Sequence, residues 1–252
     1  MFQGFSLNIF KMNKKGELTT QQIIMITILI ISFVVLLFFL FRLNPGETSS
    51  KQICYNSVSL ISKGRGLIGS LDCKTSYLCL SGGDSCTEFN PTNTIKVDIS
   101  KKNETLKAIA DEMTDCWWMF GEGKVDYISS SYGDSHCAVC SRIKFDKKIQ
   151  DEIKEITYAE LADYMKTHQS SHDSSQSYLK YLYGVNSLES SNAEMKDFNV
   201  SSGSITTDKD YIITTGIDPE GIFADKYIKV GIVRTDEVST KTRCEIFDIT
   251  QA

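Results

Sequence analysis

Cys137 and Cys140 are separated by two residues in His136-Cys137-Ala138-Val139-Cys140, a spacing used by zinc knuckles and by thiol–disulfide exchange motifs. The run from Cys137 to Phe145 reads as a strand, with Val139 and Ile143 among its apolar positions. On a strand, positions 137 and 140 point to opposite faces, so the two sulfurs are expected to find separate partners. Redox motifs sit at helix N-termini, where the dipole lowers the thiol pKa, and no helical pattern starts here. Two structural disulfides are therefore the primary reading. Thiol–disulfide exchange at Cys137 and Cys140 is the alternative, and metal binding is a third. His168 and His172, with Asp173 adjacent, have a spacing that could chelate a metal on a helix. Their serine-rich setting, residues 168 to 176, reads as a solvated loop or linker. His136 completes the histidine count. No Gly-x-Ser-x-Gly turn and no phosphate-binding glycine loop is present, so no catalytic residue, cofactor or metal site is assigned.

The densest apolar patch away from the N-terminal region is Cys116-Trp117-Trp118-Met119-Phe120, followed by Gly121-Glu122-Gly123. Trp117 and Phe120 share a helix face with the apolar positions before them, whereas Trp118 and Met119 project elsewhere. The patch reads either as a core corner covered by the glycine loop or as an anchor in which Trp117 and Trp118 bind a partner. Asn103-Glu104-Thr105 and Asn199-Val200-Ser201 are permitted glycosylation sequons.

These groups have to be placed relative to a membrane. Residues 23–41 form nineteen consecutive positions without a charge, and only Thr27 and Ser32 among them are polar. As a helix that run spans close to the ~30 Å hydrocarbon thickness of a bilayer, and both hydroxyls can bond back to helix carbonyls. It is longer than the core of a secretory signal and leads into Arg42-Leu43-Asn44-Pro45-Gly46, a stop-transfer flank and turn. Lys11, Lys14 and Lys15 precede the span while Arg42 alone follows it closely, which places residues 1–22 in the cytoplasm and the C-terminal domain outside. All eight cysteines (Cys54, Cys73, Cys79, Cys86, Cys116, Cys137, Cys140 and Cys244) follow the span, as a disulfide framework on the non-cytoplasmic side requires. The chain has 27 basic and 32 acidic residues; four of the basic ones and Glu17 fall in the first 42 positions, leaving 23 against 31, a net charge of −8, outside. Such a surface repels nucleic acid and anionic headgroups.

Along the rest of the chain, residues 42–70 read as a stalk or juxtamembrane segment, with Cys54, Val58 and Ile61 on one face of a possible second helix. Residues 71–252 read as one extracytoplasmic domain. Leu71 to Leu80 is strand-like, Ser81-Gly82-Gly83-Asp84 is turn chemistry, and Cys86 could close a hairpin onto Cys79. Ile95, Val97 and Ile99 alternate as in a half-buried strand. Leu106, Ile109, Ala110, Met113, Cys116, Trp117 and Phe120 recur at helical spacing, with Gly121 as the stop. Asp146 can cap a helix bearing Ile149, Ile153 and Ile156, and Thr157-Tyr158-Ala159-Glu160 matches a capping box. A tyrosine-rich helix is expected over residues 177–184, then a polar stretch to about Asp208. Strands follow over 211–217, 227–234 and 243–250, the last two as a hairpin. Helices followed by a strand-rich end predict an α+β class.

Lys14-Lys15-Gly16-Glu17 ahead of the uncharged helix resembles the class III signal of archaeal type IV pilin-like proteins. That resemblance implies peptidase cleavage between Gly16 and Glu17 and a retained helix that packs into a filament or stays as an anchor. Glu17 at the first mature position, and Gln21 where many pilins keep a glutamate, depart from the pattern. Met12, which opens MNKKGELTT, is an alternative start to Met1. More broadly, NKKGELTTQQI, LDCKTSYLC, AIADEMTDCWWMFGEGKVDY, CAVCSRIKFD and YLKYLYGV make the chain similar to a family of single-pass surface proteins from small-genome archaea. The expectation is a non-enzymatic cell-surface protein, pilin-like or adhesin-like, held by residues 23–41 in the bilayer, with a head that binds a protein partner or assembles with copies of itself.

Overall fold

The uncharged run forms a helix as its composition dictates. In a computed structural model, residues 20–42, 46–64, 71–86, 90–127, 135–187, 203–217, 227–237 and 245–247 are described. Helix α1 (Thr20–Arg42) takes in the whole apolar segment. It is long and apolar enough to cross a membrane, and none of its 20–38 stretch is buried by other parts of the chain. Thr27 Oγ1 donates to the Ile23 carbonyl at 2.8 Å and Ser32 Oγ to that of Leu29 at 2.9 Å, so neither hydroxyl is left unsatisfied.

A second compact unit starts at Gly46. Its first element, α2 (Gly46–Lys63), carries the segment read as stalk or second helix. It is a second helix of the head: Cys54 and Val58 are buried in the common core, Ile61 is buried beside them on the same helix face, and α2 packs against α3. Strands β1 (Ser76–Ser81) and β2 (Asn93–Lys96) come next, with residues 71–75 outside the strand expected there. Cys79 and Cys86 are indeed joined, but they do not close a hairpin. β1 and β2 run parallel, with Leu78 opposite Asn93, because the chain returns to the start of β1 before re-entering the sheet.

Helix α3 (Lys102–Met119) buries the predicted apolar face. Met119, expected to project elsewhere, is also core at 4% exposure. The helix ends where Gly121 takes φ +79°; a Cβ there would lie 2.0 Å from Val125 Cγ2, so only glycine fits the stop. β3 (His136–Phe145) is the central strand. Asp146 at its end caps α4 (Lys147–Glu152) by accepting from the Ile149 amide, and its other oxygen accepts from the Asp84 amide, both at 2.8 Å. α4 ends at Glu152, so Ile156 lies on β4 (Glu155–Thr157) rather than on that helix. The Thr157–Glu160 capping box is formed and opens α5 (Tyr158–Thr167). Ser177 caps α6 (Tyr178–Tyr183), which Gly184 ends in the left-handed conformation.

The polar stretch read as running to Asp208 contains β5 (Ser204–Thr206), paired antiparallel with β4. β6 (Tyr211–Ile217) and β7 (Tyr227–Arg234) are antiparallel neighbours. β8 (Glu245–Phe247) does not form the expected hairpin with β7; it lies parallel to β3, with His136 opposite Glu245. The main sheet has the order β2-β1-β3-β6-β7, with β1 and β8 both parallel to β3 and β6 antiparallel to it. The head is α+β with a mixed sheet. α3 packs on β3, β6 and β7 and is flanked by α2, α5 and α6.

Candidate functional site

β3 and β6 lose register between Val139 and Ser141, which makes Cys140 the extra residue of a bulge. Ala138, Cys140, Ile143 and Phe145 all join the main core, whereas Val139 packs with Ile212 and Val233 in a second cluster. Cys140 is thereby aimed at α3 and is disulfide-bonded to Cys116, with Cα atoms 5.5 Å apart. Cys137 is disulfide-bonded separately, and both sulfurs' residues are at most 2% exposed. Cys54 and Cys73 form the remaining described pair. No described cysteine is free. Cys244, Asn199, Gly16, Glu17 and Met12 lie outside the described residues. Asn103 is exposed in the first turn of α3, while Thr105 of the same sequon is fully buried.

The charged and aromatic groups converge on one stripe of α3. Positions 111, 114, 115, 118 and 122 recur at three- and four-residue spacing, so their side chains follow one line along the helix and its C-terminal turn. Asp111 Oδ1 accepts from the Tyr178 hydroxyl at 2.6 Å, Thr114 Oγ1 meets Ser171 Oγ at 3.2 Å, and Glu122 Oε1 accepts from the Tyr181 hydroxyl at 2.7 Å. Between these, Asp115 Oδ1 lies 2.5 Å from His172 Nε2. From the other side α2 contributes Lys51, whose Nζ donates to Glu112 Oε2 at 2.8 Å and Asp115 Oδ2 at 2.7 Å.

Above the charges four near-parallel rings follow one another. Tyr55 stacks on Trp118 at 4.5 Å and 5°, Trp118 on His172 at 5.1 Å and 14°, and His172 on Tyr181 at 6.3 Å and 13°. The column links α2, α3, the segment before α6, and α6 itself. Residues 168–176 form the solvated loop expected, exposed over most of its length, and Ser171 and His172 reach α3 from it. Ser170 is buried, and Gln169 bridges Ser177. His168 is spent locally, stacked on Tyr164 at 3.9 Å. Among the described residues no group of three or more His, Cys, Asp or Glu is placed to hold a metal ion.

Burial opposes the charge on Lys51, yet the Glu112 and Asp115 carboxylates overcome it and hold the ammonium above the usual lysine range. Burial likewise works to raise Asp115, and the His172 hydrogen bond and the Lys51 charge outweigh it, keeping the carboxyl below the ordinary aspartate value. Burial and the bond to Glu122 push the Tyr181 hydroxyl up. A carboxylate bonded to imidazole is the arrangement that orients a general base. Here no hydrogen bond joins the His172 ring to a serine or cysteine among the described residues, and the ring is stacked against Trp118. What the cluster does is join three elements and leave part of an aromatic edge in solvent.

Of the two tryptophans singled out by sequence, Trp117 is 5% exposed, with Lys229 Nζ 5.1 Å from its ring centroid. Trp118 is half-buried and open to solvent on part of its surface. Sequence reading missed Lys51, Tyr55, Asp115, His172 and Tyr181 as a group. The four-residue and seven-residue steps from Asp111 to Asp115 and Trp118 were the available signal, but nothing in the chain announced which segments would face them. The chain matches no family model, no curated protein and no solved structure.

Proposed function

We propose that the chain is a single-pass membrane protein whose head acts on the non-cytoplasmic side as a binding or assembly module. The observation that carries this reading is the pairing of one long helix, unburied over its apolar stretch, with a head whose described cysteines are all cross-linked. Disulfides persist where the compartment is oxidising, and an uncharged helix of this length matches the hydrocarbon thickness of a bilayer. The lysines ahead of α1 support an N-terminus in the cytoplasm. The partner, or a second copy of the chain, meets the head where Trp118, Tyr55 and Tyr181 edge into solvent, since partly exposed stacked aromatics supply large contact area with little entropy left to lose.

Protease added to intact cells should remove the part of the chain after α1; survival of that part until the membrane is lysed refutes the orientation. The pilin-like version carries its own test, a mature N-terminus at Glu17 by mass spectrometry. Insulin-reducing activity that disappears in Cys137→Ser would replace the binding reading with thiol–disulfide exchange.

A further inference from the structure

Outside α1, the large apolar side chains standing exposed among the described residues are Ile53 and Leu60, at 45% and 67% exposure. Both belong to α2. Seven residues apart, they fall on one stripe with Asn56, and Lys63 continues it. Cys54, Val58 and Ile61 occupy a different face, the one buried in the head. The only acidic residue in α2 is Glu47, in its first turn. The stripe is thus apolar with a terminal cation, on a region of the chain whose overall charge is strongly negative.

Its position in the chain says what covers it. α1 ends at Arg42 and α2 begins at Gly46. Three intervening residues, however arranged, separate the two ends by no more than ~14 Å. If α1 spans the bilayer, α2 starts at the membrane surface. We propose that α2 lies on the outer face of that same bilayer, with Ile53 and Leu60 in the boundary between headgroups and acyl chains and the Lys63 ammonium among the headgroups. The inference rests on the anchoring reading above. Two apolar side chains would hold a free helix to lipid only weakly, but a short tether keeps α2 at an effective concentration on the order of millimolar, so a weak contact is populated.

The full chain in phosphatidylcholine nanodiscs tests this with single spin labels. No described cysteine is free, so the label goes onto a thiol introduced by Ile53→Cys, Leu60→Cys, Phe33→Cys in α1 or Lys147→Cys in α4, with the unsubstituted chain treated with the same reagent as the background. Collision with lipid-soluble oxygen should dominate over collision with an aqueous nickel chelate at 33, 53 and 60, and the ratio should invert at 147, where the side chain is 72% exposed. Oxygen preference at 33 with nickel preference at 53 and 60 overturns the inference and leaves the anchor standing. Nickel preference at 33 as well overturns both. Exclusion of both reagents at 53 and 60, with broadening between labels, would mean that a second copy covers the stripe and would overturn the lipid assignment.

Discussion

Replacing Lys51 with methionine should weaken the packing of α2 on α3. The substitution keeps the stem's bulk and removes the cation that contacts Glu112, 3% exposed, and Asp115, 26% exposed. Breaking a buried ion pair by deleting one partner costs roughly 3–5 kcal/mol, chiefly because a carboxylate is left in a low-dielectric site. Lys51 itself retains 14% exposure and Asp115 keeps its bond to His172, so screening places the loss near the low end, about 3 kcal/mol. That is a change of roughly a hundredfold in the folding equilibrium. Urea denaturation of the disulfide-intact head, Gly46–Ala252, followed by tryptophan fluorescence, should show the midpoint move with the slope unchanged. Pairing Lys51→Met with Glu112→Leu should recover most of the loss, because both charges then leave the interior. The pH dependence has a fixed sign. The folded-state value of Asp115 is depressed, so its contribution is present above the unfolded value of about 3.9 and is lost as pH falls through the folded value. Lys51 is raised, so its contribution is present below about 10.4 and is lost as pH rises through its folded value. The difference between wild type and Lys51→Met should therefore be flat between those limits and shrink below pH ~4. A loss under about 1 kcal/mol near neutrality would refute the burial argument.

Peptide mapping of the unreduced protein should return links 54–73, 79–86 and 116–140; a 137–140 link would contradict the strand geometry. Removing the Cys116–Cys140 bond as a paired serine variant opens a loop with a sequence separation of 24 and should lower stability by about 3 kcal/mol in urea titrations. Thr157→Ala deletes the capping box of α5 and should cost about 1 kcal/mol by the same measurement, with Thr157→Ser restoring most of it. A Cβ at position 216 would stand 2.3 Å from the His136 carbonyl oxygen, so Gly216→Ala should force β6 away from β3 and cost about 2 kcal/mol, visible as faster amide exchange in both strands.

Features written in consecutive residues were legible. The capping box, the Asp146 cap, the α3 stripe ending at Gly121 and the uncharged span are each fixed by a local pattern that the fold has no reason to override. Pairing choices were not legible. Alternation shows that Ile95 and Ile228 sit on strands, but β1 with β2 is parallel and β8 chooses β3 over β7 for reasons of sheet order that no single segment carries. The loop over α3 was read correctly as solvated, but its composition does not say that His172 reaches Asp115. His172 gains its place from a partner fifty-seven positions away. Cys137 and Cys140 were read correctly as having separate partners, although the mechanism includes a bulge that alternation does not foresee.

β8 is synthesised after every strand it joins, yet it lies against the first residues of β3, beside the Cys137 bond. While the polypeptide is being made, that edge of the central strand has no neighbour of its own. Its backbone amides and carbonyls are then open to any extended segment nearby, including the same segment of another nascent copy. Closure of that edge thus waits on β8, and a chain truncated ahead of Glu245 should aggregate rather than merely lose a short strand.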